Sequence, residues 1–190
     1  MAPNNVEKQA EDELIRLRGQ VERLQNQLQD AEVRLKEMGI ADPITGLYSY
    51  RYFQGRITEE VARADRFNLE VSCLLLQLDQ PGFEPLLEVA TMMKESCRLY
   101  DIPARWGQNE LVMLMPATDI DGAQTFAERF RLAVQSAFAN HAGAPGLTVS
   151  IGVATYPLPG LEDAQHLVEA ANAAMHQAVQ EGGNMTVLRD

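Results

Sequence analysis

The sequence predicts an α+β domain, a mixed sheet with packed helices of the ferredoxin-like kind, behind an N-terminal coiled-coil helix. Three observations predict it. Apolar residues recur at alternating steps of three and four from Leu14 to Met38, which is the seam of a coil. Beyond Gly39, short apolar runs such as "LEVSCLLLQLD" (69–79) and "LTVSIGVATYP" (147–157) interleave with amphipathic helical stretches. The resulting order after the coil, α-β-α-β-β-α-β-α-β, suits a sheet covered by helices.

Residues 6–38 read as one helix. Leu14, Val21, Leu28 and Leu35 fall at heptad position a, and Leu17, Leu24, Ala31 and Met38 at d. A stripe this narrow cannot bury itself on a lone helix. Glu13 and Arg18 occupy g and the following e, where a parallel partner would pair them. A homodimer through residues 14–38 is therefore expected, the alternative being a helix folded back on its own domain. The opening dozen residues are expected to be disordered. The register stops at Gly39, so the expected division is 1–40 for the coil and its disordered start, and 41–190 for the domain.

Asp42-Pro43 and Thr45-Gly46 are turn chemistry. Ser49 can cap a helix to about Phe67, with Tyr52, Phe53, Ile57, Val61 and Ala64 on one face. The run 69–79 is a strand buried by its apolar continuity, and 85–100 a helix. "IPARW" and "ELVMLMP" are two strands joined at a Gly107 turn. Residues 121–138 form an amphipathic helix opened by Asp119 or Asp121. A strand over 147–157, an Ala-rich helix over 163–182 ended by Gly182-Gly183, and a last strand in "NMTVLR" complete the chain.

Composition excludes several functions. With a net charge of −11 over 190 residues, nonspecific binding to nucleic acid or anionic lipid is not expected. The apolar runs are too short to span a bilayer, and the N-terminus has no signal-peptide core. Cys73 and Cys97 lie in apolar segments and are expected to be reduced, buried thiols of a cytoplasmic protein. His141, His166 and His176 show no metal-like grouping.

Four segments together resemble the GGDEF domain, the diguanylate cyclase fold. "DPITGLYSYRYF" (42–53) is similar to that family's opening motif D-P-L-T-G-L-x-N-R-R-x-F. "RWGQNEL" (105–111) stands where R-Y-G-G-D-E-F would be. "LTVSIGVATYP" is similar to its S-x-G-V strand, and "AANAAMHQAVQEGGN" (170–184) to its ending A-D-x-A-M-Y-x-A-K-x-x-G-R-N. The resemblance runs from about Ala41 to the C-terminus and implies a nucleotide-cyclase-type sheet.

The resemblance also implies positions for chemistry. Joining two GTP molecules calls for carboxylates on Mg²⁺, cations on the phosphates and a guanine pocket. The family's first metal acid falls at Gln77, with Asp79 the second acid of the usual D-x-D, and its next metal acid falls at Asn109. Gly107 is kept, Gln108 replaces the second signature glycine, and Glu110 remains of the acids at the turn. The phosphate-binding Lys and Arg fall at Val179 and Gly183, and "DQPGFEPLLEV" (79–89) offers no Asn or Asp for the base. Loss of one charged contact to a transition state typically costs ~3 kcal/mol, ~100-fold in rate. A degenerate active site is expected, with no catalytic residue, no metal and no cofactor, so the chain is expected not to be an enzyme. Gln108 and Asn109 read as turn residues.

A second constellation survives. Arg98 and Asp101 form an R-x-x-D placed ahead of Gly107, which is similar to the family's inhibitory site for cyclic di-GMP. Arg129, in "AERFR", matches its supporting arginine. A guanidinium can bond the O6/N7 edge of guanine or pair with phosphate, and a carboxylate can accept from guanine N1–H and its amine. The bland alternative is a salt bridge between Arg98 and Asp101 at a helix end. Arg105 and Arg131 read as helpers or surface charges, and Trp106 as a packing residue. The expectation is a bacterial cyclic di-GMP receptor, dimerised by its coil, acting on an unknown downstream protein. The alternative is a nucleotide-independent protein–protein scaffold.

Overall fold

The structure, a computed structural model, describes residues 5–160 and 162–189. The chain divides into two compact units, Met1–Gly39 and Ile40–Asp190. The first is a single helix, α1 (Asn5–Glu37). It already begins at Asn5, which corrects the expected disorder over residues 5–12, while residues 1–4 lie outside the described residues. Charged and amide side chains with good helix propensity carry it through its first turns. Leu14, Leu17, Val21, Leu24, Leu35 and Met38 of the seam are exposed on the single chain; the side chains of Leu28 and Ala31 lie outside the described ones. Covering one such leucine contributes about 1.5–3 kcal/mol. Glu13 sits 3.8 Å from Arg16 on its own helix, a solvated pair that leaves its heptad role open.

The second unit is α2 (Tyr50–Phe67), β1 (Val71–Leu78), α3 (Phe83–Ser96), β2 (Ile102–Arg105), β3 (Glu110–Pro116), α4 (Ile120–Phe138), β4 (Val149–Tyr156), α5 (Ala164–Gln180) and β5 (Thr186–Arg189). The sheet order is β2-β3-β1-β4-β5. All pairings are antiparallel except β4 with β5, so the sheet is mixed, as expected. β1 is central and buried on both faces. Leu74, Leu76 and Leu78 join α3 and α4 in one core, and Val71, Cys73 and Leu75 join α2 and α5 in the other. Two-sided burial is why the strand reads as a continuous apolar run and not as an alternation.

The helix caps follow the sequence. Ser49 accepts the N–H of Tyr52, Asp119 that of Gly122, and Asp163 that of His166. The opening of α4 is thereby Asp119, and Asp121 lies in its first turn. One boundary is corrected. The helix expected to reach residue 100 ends at Ser96. Ser96 Oγ bonds the Met92 carbonyl at 2.7 Å and Cys97 Sγ the Met93 carbonyl at 3.0 Å, which satisfies the last turn from within. Cys97 is then extended and Arg98–Asp101 is a turn.

Both cysteines are free thiols. Cys73 is buried, but Cys97 is only partly so, which corrects its expected burial. Desolvation raises both; Cys97, with a further push from the Asp101 carboxylate, is pushed up to about 12. Among the described residues no helix is long and apolar enough to cross a membrane.

Gly152 in β4 marks the closest helix–sheet approach. A Cβ there would collide with the Ala171 carbonyl and the Met175 amide of α5. Gly152→Ala must push α5 off the sheet, and we expect a loss of about 2–3 kcal/mol, read as a lower urea midpoint at unchanged slope.

Candidate functional site

The C-terminal end of β1 places the first site. In register, Gln77 lies opposite Glu110 of β3 and Ser150 of β4. The turn between β2 and β3 is held by its backbone. Trp106 and Gly107 both donate to the Glu110 carbonyl, at 3.0 and 3.1 Å, and Leu78 donates to the Asn109 carbonyl at 3.0 Å. Gln108 is exposed at the bend. The Glu110 carboxylate lies against Gly107, and a Cβ there would displace the end of that side chain. Trp106 packs edge-on to Tyr50 (5.0 Å) and Phe53 (6.2 Å) against the core, the packing role its sequence suggested.

Asp79, just past β1, has both carboxylate oxygens occupied. Oδ2 accepts from Thr148 Oγ1 at 2.5 Å and from the Asn184 backbone N–H at 2.9 Å, and Oδ1 accepts from Ser150 Oγ at 2.5 Å. A Cβ on Gly183, which takes φ +75°, would come within 3.0 Å of the same carboxylate. Arg131 extends the network, with Nη1 on Asn184 Oδ1 at 2.7 Å and Nη2 on Glu128 at 3.0 Å. Its partner holds the Glu128 carboxyl below the usual carboxylate range. Val179 is half-buried on α5. The polar ends of β1 and β4, the middle of α4 and the 182–185 loop are thus tied to one another. Sequence reasoning missed this network. Its one legible sign was Thr148 and Ser150, two residues apart on a strand and so on one face.

A Mg²⁺ site would need carboxylates here. Gln77 and Asn109 are neutral, Asp79 is engaged three times, and Glu110 alone is uncommitted among the described residues. No group of three His, Cys, Asp or Glu side chains gathers among the described residues. Mg²⁺ is commonly held by one or two carboxylates together with water and phosphate oxygens, and Glu110 is the carboxylate at this strand end left open to such an ion.

The second site is the turn at 98–101. Asp101 is 7% exposed. Its Oδ2 accepts the Arg98 backbone N–H at 2.8 Å, and its own N–H returns to the Arg98 carbonyl at 3.2 Å. Burial pushes the carboxyl up, against the lowering pull of that N–H and of the Arg98 charge. The salt bridge weighed for this pair is not formed: Arg98 has no ion pair within 4 Å among the described residues. Its guanidinium is exposed and borders a hollow with Asn68, Asp119 and Gly122. Arg129 is exposed on α4, its guanidinium 5.4 Å from the Phe126 ring. At 1.5 Å per residue it stands ~10 Å along α4 from Gly122. Arg105 and Arg131 are not surface charges, which corrects that expectation. Their side chains are 18% and 14% exposed and are paired with Asp42 and Glu128.

The comparisons decide the family. The profile described as "Diguanylate cyclase, GGDEF domain" matches residues 39–185. The chain belongs to the GGDEF family. Diguanylate cyclase A of Treponema denticola is 35% identical over 170 residues, 82% of this chain and 46% of that protein. The chain spans less than half the length of such curated relatives. Among solved structures, the coiled coil and GGDEF domain of DgcB from Caulobacter crescentus, in complex with c-di-GMP, superimposes with a TM-score of 0.74 at 22% identity. It covers 95% of this chain and 99% of that one. Diguanylate cyclase SiaD of Pseudomonas aeruginosa, in complex with its activator SiaC, gives 0.73 at 29% identity, covering 97% and 76%. These GGDEF relatives overturn the expectation that the chain is not an enzyme: the family and the relatives are named as cyclases. Amides at Gln77 and Asn109 report the charge at two positions, which is too little to set a chain apart from its family's activity.

The Asp79 network generates a stability prediction. Asp79→Ala leaves Thr148, Ser150 and the Asn184 amide without their acceptor. We expect about 2–3 kcal/mol of lost stability and faster amide exchange at Asn184, measured by denaturation and hydrogen exchange.

Proposed function

We propose that this GGDEF domain is a cyclic di-GMP receptor in which Arg98, Asp101 and Arg129 hold the dinucleotide, and that α1 pairs two copies of the chain. The reading is carried by one observation: neither guanidinium of this trio has a carboxylate partner among the described residues. Arg56, Arg105 and Arg131 are each committed to a carboxylate, whereas Arg98 and Arg129 have no ion pair among the described residues. Asp101 is oriented by the Arg98 N–H, and its other oxygen accepts no hydrogen bond from the described residues. Arg98 would take the O6/N7 edge of guanine or a phosphate, Asp101 the N1–H and amine, and Arg129 the second phosphate. The c-di-GMP complex of a similarly folded coil-and-GGDEF protein supports the ligand class.

The exposed seam of α1 supports pairing, because Leu14, Leu17, Val21 and Leu24 otherwise stand in water. A parallel pair would carry two receptor domains side by side, in the cytoplasm, with ligand changing their relation for a downstream protein to read. A similarly folded cyclase bound to its activator supports a protein partner.

Isothermal titration of the dimeric chain with cyclic di-GMP is expected to give saturable heats. Arg98→Ala should weaken binding about 10–100-fold, the cost of one charged hydrogen-bonding group; flat heats from the unmodified protein would remove the proposal.

Affinity should also depend on pH with a definite sign. The bound form needs Asp101 as a carboxylate, and burial has already raised its proton affinity. Acidification therefore weakens binding from a higher pH than an ordinary aspartate would give, and Asp101→Asn should flatten that dependence.

In sedimentation, the full chain is expected as a dimer and Leu17→Asp with Leu24→Asp as a monomer; an unchanged species would rule out the coil as the contact.

A further inference from the structure

We propose that Tyr100 is the base-stacking residue of this site, its ring lying on one guanine of the bound dinucleotide and making the site selective for purine over pyrimidine bases. This rests on the receptor reading above. Leu99 and Tyr100 are 88% and 77% exposed, more than any other large apolar side chain described in the chain. Chance exposure of single apolar residues is ordinary, but these two are adjacent on one hydrogen-bonded turn. The turn is closed at both ends by the Arg98–Asp101 hydrogen bonds of 2.8 and 3.2 Å. With the turn so closed, the Tyr100 side chain stands largely in solvent.

Its place relative to Asp101 gives the exposure a chemical use. Tyr100 and Asp101 border one pocket of about 420 Å³, together with Tyr48, Tyr52 and Arg56. Tyr48 and Tyr52 are already stacked on each other at 4.5 Å, and Arg56 is committed to Glu60 at 2.6 Å. Tyr100 is the aromatic ring of this pocket without a ring partner among the described residues. A guanine whose N1–H and amine point at Asp101 presents its edge to the carboxylate and its face to the neighbouring residue. Edge and face are independent requirements: the carboxylate reads donors, and the ring rewards a wide π surface. Tyrosine supplies that surface with only two side-chain torsions to immobilise.

The test titrates cyclic di-GMP and cyclic di-UMP into the full chain and into Tyr100→Phe, Tyr100→Leu and Tyr100→Ala, with circular dichroism as the folding check. We expect Tyr100→Phe to bind cyclic di-GMP as the unmodified chain does. Tyr100→Leu and Tyr100→Ala should lose about 10-fold or more, the scale of one base–aromatic stack, with little change for cyclic di-UMP. Guanine H8 should shift upfield on binding to the unmodified chain and to Tyr100→Phe, and not on binding to Tyr100→Leu. Equal affinity of the unmodified chain and Tyr100→Ala, or binding without the upfield shift, overturns the stacking role and leaves the receptor reading standing. No binding by the unmodified chain overturns both.

Discussion

The double burial of β1 is the constraint on which the domain depends. A strand covered on both faces and paired on both edges has no freedom of register, because a slip of one residue would send each apolar set to the opposite core. Leu74, Leu76 and Leu78 serve one core and Val71, Cys73 and Leu75 the other, while Val71–Gln77 pair with β3 and Val71–Leu78 with β4. That register puts Gln77, Glu110 and Ser150 in one row and delivers Asp79 to Thr148 and Ser150 at the next step. The polar chemistry at the strand's end is where it is because the apolar chemistry behind it cannot move.

The two sites differ in how their charges are spent. Around Asp79 every oxygen is matched by a donor, and Arg131 is matched by Glu128 and Asn184. Such a network holds elements together and has nothing to offer a ligand without being dismantled. Around Asp101 the matching is partial. One oxygen orients the turn, and two guanidinia face solvent. In a chain of net charge −11, arginines left without carboxylate partners are local sites of positive potential.

Much of the fold was legible because periodicity reports burial. The helix of α1, the two-sided run of β1 and the caps Ser49, Asp119 and Asp163 all follow from local rules. What was not legible arose from contacts between distant residues or from competition at helix ends. The stop of α3 at Ser96 depends on Ser96 and Cys97 bonding carbonyls four residues back, which propensity does not foresee. The Asp42–Arg105 and Arg131–Asn184 pairs join segments that only the folded sheet brings near. For the proposed site, the sequence names Arg98, Asp101 and Arg129 as candidates, but the mode of the Arg98–Asp101 contact was not legible. A salt bridge and a backbone-capped turn have the same spelling.

Cys97 carries a consequence of its own. Burial and the neighbouring Asp101 carboxylate both disfavour its thiolate, and the thiolate is the reactive form. Alkylating reagents and peroxide therefore meet a less reactive sulfur as long as α3 stays closed over it. Opening the end of α3 returns the group to ordinary reactivity, so the natural chain carries its own chemical label for the segment that bears the Arg98 turn.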